Sequence, residues 1–82
     1  SREIAHTVKS RHAMQEQTLT QFLRQRQERG EIPAHCNPQT LAEYLNCILQ
    51  GMSISAREGA TFDKLMQITR TTLRLWPEML KA

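Results

Sequence analysis

The placement of helix breakers constrains this chain more than any other feature. Residues 2–29 contain neither Gly nor Pro. The three Gly and three Pro are Gly30, Gly51, Gly59, Pro33, Pro38 and Pro77. A long stretch without either residue, carrying apolar side chains at helical spacing, reads as helix. Hydrophobic residues make up 39% of the 82 residues, and they are mostly Leu, Ala, Ile and Met, which favour helix. A single Val, one Trp, one Tyr and two Phe are poor material for a sheet. The expectation is an all-α fold forming a single helical domain over residues 1–82.

Three helices follow from the punctuation. Ile4, Val8, His12, Gln15, Leu19, Phe22 and Arg26 recur at helical spacing, with Leu23 beside them. That face is apolar at both ends and polar in the middle. It predicts one helix over about 2–29, or two joined near residues 10–14. Gly30 then supplies a left-handed cap. Residues 30–37 form a connection. Asn37 followed by Pro38 is a start signal, a capping side chain ahead of a Pro at the first helical position. The second helix runs over about 38–58 and stops at Gly59. Thr61 caps a third over about 61–76, where Trp76-Pro77 closes it, because Pro disfavours helix at the residue before it.

The second and third helices each carry two apolar stripes. On the second, Leu41, Leu45, Leu49, Met52 and Ala56 form one. Tyr44, Ile48, Gly51 and Ser55 form the other. On the third, Phe62, Met66, Thr69, Leu73 and Trp76 face Leu65, Ile68, Thr72, Leu75 and Met79 across the apolar side. A helix apolar on adjacent faces must bury both. One stripe fits the core of its own subunit, and the other needs a partner. The partner-facing set is expected to be Tyr44, Ile48, Gly51, Ser55, Leu65, Ile68, Thr72 and Leu75. Pattern alone leaves the two stripes of the third helix interchangeable. Gly51 and Ser55 would allow a close helix crossing.

Little in the chain carries chemistry. His6, His12, His35, Cys36 and Cys47 match no compact zinc spacing, so no metal is expected. His35 beside Cys36 lacks the third, orienting group of a nucleophilic site. No carboxylate pair or Gly-rich phosphate loop stands out, and no cofactor or enzymatic activity is expected. The net charge of +3 resides entirely in residues 1–29, where Arg2, Lys9, Arg11, Arg24, Arg26 and Arg29 outnumber Glu3, Glu16 and Glu28. That excess reads as a solvated helix face. Two cysteines make no disulfide framework. With no secretory signal or membrane-length apolar run, a reduced, cytoplasmic setting is expected. The chain opens on Ser1 rather than Met, which suggests a fragment or processed product.

From about Leu19 to Pro77 the order of motifs resembles the C-terminal part of TetR-family transcription regulators. The matching elements are Gly30-Glu31-Ile32-Pro33, Asn37-Pro38, Leu41-Ala42, Leu49-Gln50-Gly51-Met52, Ala56-Arg57-Glu58-Gly59-Ala60 and Trp76-Pro77. Asn37 stands where the family often has Asp, and both cap. The resemblance implies a homodimer in which the last two helices of each subunit form a four-helix bundle. It implies a small-molecule effector pocket with residues 2–29 as one wall. His12, Gln15 and Thr18 would then supply polar contacts, beside Leu19 and Phe22. It further implies a repressor whose DNA-reading helix-turn-helix, with most of the pocket, lies before Ser1, so that DNA is bound only through that missing part. The reading from another class is a free-standing helical adaptor that docks a partner protein through the second stripe.

Overall fold

The computed structural model describes residues Ser1–Ala82. It contains three helices and no strand: α1 (Arg2–Glu28), α2 (Pro38–Arg57) and α3 (Phe62–Met79). α1 is continuous, with no joint at residues 10–14.

The ends of the helices follow from local chemistry. At the end of α1, the Glu31 N–H donates to the Arg26 carbonyl and the Gly30 N–H to the Gln27 carbonyl, both at 3.0 Å. At the end of α2, the Ala60 N–H donates to Ser55 at 2.9 Å and the Gly59 N–H to Ala56 at 3.1 Å. This paired closure is the Schellman motif, which needs a left-handed residue. Gly30 and Gly59 supply it, with φ of 82° and 94°. At the start of α2, Asn37 Oδ1 accepts from the N–H groups of Gln39 and Thr40 at 3.0 and 3.4 Å. Thr61 Oγ1 does the same for Lys64 at 3.1 Å. Each cap satisfies donors that the first turn leaves over.

α3 departs from expectation at its end. It continues through Pro77 to Met79 rather than stopping at Trp76. Pro removes one backbone donor and crowds the preceding turn. Less than one turn follows it, so only one helical bond is lost. Leu80 and Lys81 still close onto the Trp76 and Glu78 carbonyls at 3.1 Å each.

The chain forms two compact units, Ser1–Asn46 and Cys47–Ala82, and α2 runs from one into the other. The first unit holds every fully covered residue: Leu23, Ile32, Cys36, Ala42 at 0% exposure and Asn46 at 2%. Gln27 fixes its connection to α1, donating through Nε2 to the Pro33 carbonyl at 2.9 Å and the Cys36 carbonyl at 2.7 Å.

The second unit has two helical segments and no fully covered residue. Two helices share a single seam, so coverage stops at half. Its half-buried positions include Ile48, Met52 and Ser55 on α2, and Leu65, Ile68, Thr72, Trp76 and Met79 on α3. Four residues expected in the subunit core are instead open: Phe62 at 75%, Leu73 at 67% and Leu49 at 56% exposure, and Ala56. Adjacent stripes lie about 100° apart on a helix, and periodicity within one helix does not say which of them its neighbour covers.

The caps and the Gln27 anchor predict measurable losses. The left-handed conformation costs a non-glycine residue about 1–2 kcal/mol, so Gly30→Ala and Gly59→Ala each lower stability by that amount in urea denaturation. Gln27→Ala removes the carboxamide that bridges the Pro33 and Cys36 carbonyls and costs about 0.5–1.5 kcal/mol. An unchanged urea midpoint for Gln27→Ala would show that the anchor is dispensable.

Candidate self-association and effector-facing surfaces

The expected effector-facing residues all lie on α1. His12 and Leu19 are half-buried; Gln15, Thr18 and Phe22 are exposed. The Arg26 guanidinium sits 4.9 Å from the centre of the Phe22 ring, a distance at which cation and ring quadrupole attract. Arg26 also pairs with Glu31 at 3.2 Å. Nearer the N-terminus, Glu3, Ile4, Thr7, Val8 and Arg11 line a groove of about 400 Å³. All five come from α1, so no second element closes that groove. An enclosed ligand site needs walls on several sides, and this helix offers one.

The expected partner-facing residues divide by exposure. Tyr44, Gly51 and Leu75 are exposed, whereas Ile48, Ser55, Leu65, Ile68 and Thr72 are half-buried within the chain. The apolar surface left open has its own pattern. On α2, Tyr44, Cys47, Gly51 and Ile54 are exposed at spacings of three, four and three. A Cβ built at Gly51 meets nothing within 4 Å. On α3, Asp63, Lys64, Gln67, Arg70, Thr71, Arg74 and Glu78 are exposed and occupy one side. The opposite half of the helix is a broad apolar arc. Its middle, Leu65, Thr72 and Trp76, is half-buried; its flanks, Phe62 and Leu73 on one side and Leu75 on the other, are open.

Two residues that organise the first unit were not anticipated. Asn46 is buried and donates through Nδ2 to the His12 carbonyl at 3.3 Å, across 34 residues of sequence. The available signal was a carboxamide inside the apolar run Tyr44-Leu45-Asn46-Cys47-Ile48. Gln27 gave no signal, since a Gln near a helix end among charged residues looks like solvated surface.

Cys36 Sγ and His35 Nε2 stand 3.8 Å apart. No group of three or more His, Cys, Asp or Glu side chains converges on a common point. The two ion pairs, Arg26–Glu31 and Lys81–Glu78, are solvent-exposed, and such pairs contribute little to stability. No helix is long and apolar enough to cross a membrane.

The exposure difference between the cysteines gives a direct check. Cys47 is exposed and Cys36 buried. A thiol reagent is expected to modify Cys47 promptly in the isolated chain, and Cys36 only as fast as the first unit opens. Equal rates for both thiols under native conditions would contradict the burial of Cys36.

No family model matches the chain, and no solved structure matches it. Over 81 residues, 99% of the chain, it is 73% identical to the HTH-type transcriptional repressor ComR of Escherichia coli (strain K12), and it spans 39% of that protein's length. Nearly the whole chain is therefore similar to part of a transcriptional repressor.

Proposed function

We propose that this chain is the dimerisation segment, and one wall of the effector pocket, of a ligand-responsive transcriptional repressor of the TetR type. The observation that carries this reading is the 73% identity, over 99% of the chain, to a protein named as a transcriptional repressor. Conserving so many side chains over a whole segment favours the same packing and the same kind of role. The segment itself acts through surfaces and performs no catalysis. DNA is contacted by a helix-turn-helix outside residues 1–82.

The open apolar surface supports self-association. Tyr44, Leu49, Ile54, Phe62, Leu73 and Leu75 are each about half or more exposed, apolar area that association can cover. In the proposed homodimer, α2 and α3 meet their mates in a four-helix bundle. Tyr44, Ile48, Gly51 and Ser55 of α2 and Leu65, Ile68, Thr72 and Leu75 of α3 contribute to the interface. Gly51 has no side chain, so a second helix can approach the α2 backbone closely there. The half-buried members of the set have some area left to give, and Leu73 and Phe62 add to it.

On α1, His12, Gln15 and Thr18 supply the few polar contacts of an otherwise apolar pocket, alongside Leu19 and Phe22. The other walls come from helices outside this chain, and the ligand is a small molecule.

Two measurements test the proposal. Gly51→Leu and Ile48→Asp in the full-length protein are expected to weaken dimerisation at least tenfold in analytical ultracentrifugation, about 1.4 kcal/mol or more. A monomeric wild type, or variants that dimerise as wild type does, would remove α2 from the interface. With a small molecule shown to release DNA, His12→Ala, Gln15→Ala and Thr18→Ala are expected to raise the concentration needed for release while leaving DNA affinity in its absence unchanged. Release at the wild-type concentration would place the pocket elsewhere.

A further inference from the structure

The contact between Asn46 and His12 sits where the α1–α2 hairpin of the first unit is least supported. The connection end of that hairpin is held by the buried side chains Leu23, Ile32 and Cys36 and by the Gln27 hydrogen bonds. His12 lies eleven residues before Leu23, about 16 Å along the helix at its ordinary rise. Beyond His12, residues 1–11 are all exposed. The Asn46 carboxamide, 2% exposed, reaches the His12 main-chain carbonyl at 3.3 Å at this outer limit.

An Asn is an unfavourable choice there for stability alone. It is a weaker helix former than Leu, and burying its amide requires a partner. What it adds is geometric selectivity. A Leu would be equally well covered over a range of hairpin angles, whereas the amide is satisfied only where it meets a carbonyl. A closed but shifted hairpin leaves the amide dry and unpaired, and a fully opened one returns it to water. The contact therefore favours one closed angle, tolerates opening, and penalises the positions between. A single buried Asn is known to select one helix register over others in this way.

We infer that the Asn46–His12 hydrogen bond is a latch that sets the angle of α1 on α2. The latch stands on the helix contact alone and does not need the repressor reading. If His12 also faces an effector, as proposed above, then the residue that would sense the ligand carries the latch on its own carbonyl, and α2 receives the signal through Asn46.

The test is the distance distribution between nitroxides at His6→Cys and Glu43→Cys in the full-length protein. The background is Cys36→Ala and Cys47→Ala, matched to wild type by circular dichroism. With Asn46 present, one narrow distribution is expected by pulsed electron paramagnetic resonance. Asn46→Leu is expected to broaden it at least twofold while melting at or above the unsubstituted temperature. Asn46→Ala is expected to broaden it and melt lower. If both variants keep the narrow distribution, Asn46 only fills space and the latch is refuted. The readout involves neither effector nor DNA, so its failure would leave the repressor reading untouched.

Discussion

The Gln27 carboxamide is the interaction on which the first unit depends. It donates to two carbonyls of the connection, those of Pro33 and Cys36. A connection that packs Ile32 and Cys36 out of solvent also draws main-chain carbonyls away from water, and a buried carbonyl without a donor is costly. The Cys36 N–H serves the Pro33 carbonyl at 3.1 Å, and one side chain, fixed on the last turns of a rigid helix, bridges that carbonyl to the Cys36 carbonyl. With the connection held, Leu23 of α1 and Ala42 of α2 become fully covered. Ala42 is small, so the α2 backbone can come near. The unit is thus assembled from one end, by an amide and a small apolar cluster, and it loosens toward the N-terminus of α1.

The second unit has no counterpart to that cluster. Its helical segments carry apolar residues around roughly half of their circumference, and a seam between two helices occupies only part of it. The surplus is what remains as Ile54, Phe62, Leu73 and Leu75. Small chains bury a low fraction of their surface, and a unit of 36 residues, Cys47–Ala82, lies in the range where oligomerisation commonly completes the core. The shortage of burial and the excess of exposed apolar surface are the same fact seen from two sides. In the proposed homodimer, both are met by helices from another copy.

What could be read in the sequence was local. Asn37-Pro38 and Thr61 announce helix starts because capping is a matter of three or four consecutive residues. Gly30 and Gly59 announce ends because only glycine accepts the required φ without strain. The apolar residues of α2 and α3 could be sorted into stripes for the same reason. What could not be read depends on direction. Whether α3 turns Leu65 or Phe62 toward its neighbour is decided by the short connection around Gly59 and by how α2 is already engaged. Neither leaves a trace in the period of α3. Asn46 shows the limit most clearly: its meaning comes from a carbonyl 34 residues away. Pro77 misled for a different reason. The rule that Pro ends a helix is strong in the interior and weak in the last turn, where few bonds remain to be lost.

Similarity and geometry constrain different parts of the functional reading. The 73% identity speaks to the kind of protein in which such a segment works, but a regulator's segment can serve sensing, assembly or both. α1 offers one wall and a polar middle at His12, while α2 and α3 offer open apolar area on several flanks. Apolar area has a large intrinsic drive to be covered, roughly 25 cal/mol per Å². A few polar groups on one helix bind nothing firmly until other walls surround them. In the proposed repressor, association comes first and supplies the rigid base. In that proposal, sensing works by small displacements of α1 against it. The contact that bears on such a displacement is the one between His12 and Asn46, which joins α1, the proposed sensing helix, to α2, the proposed associating one.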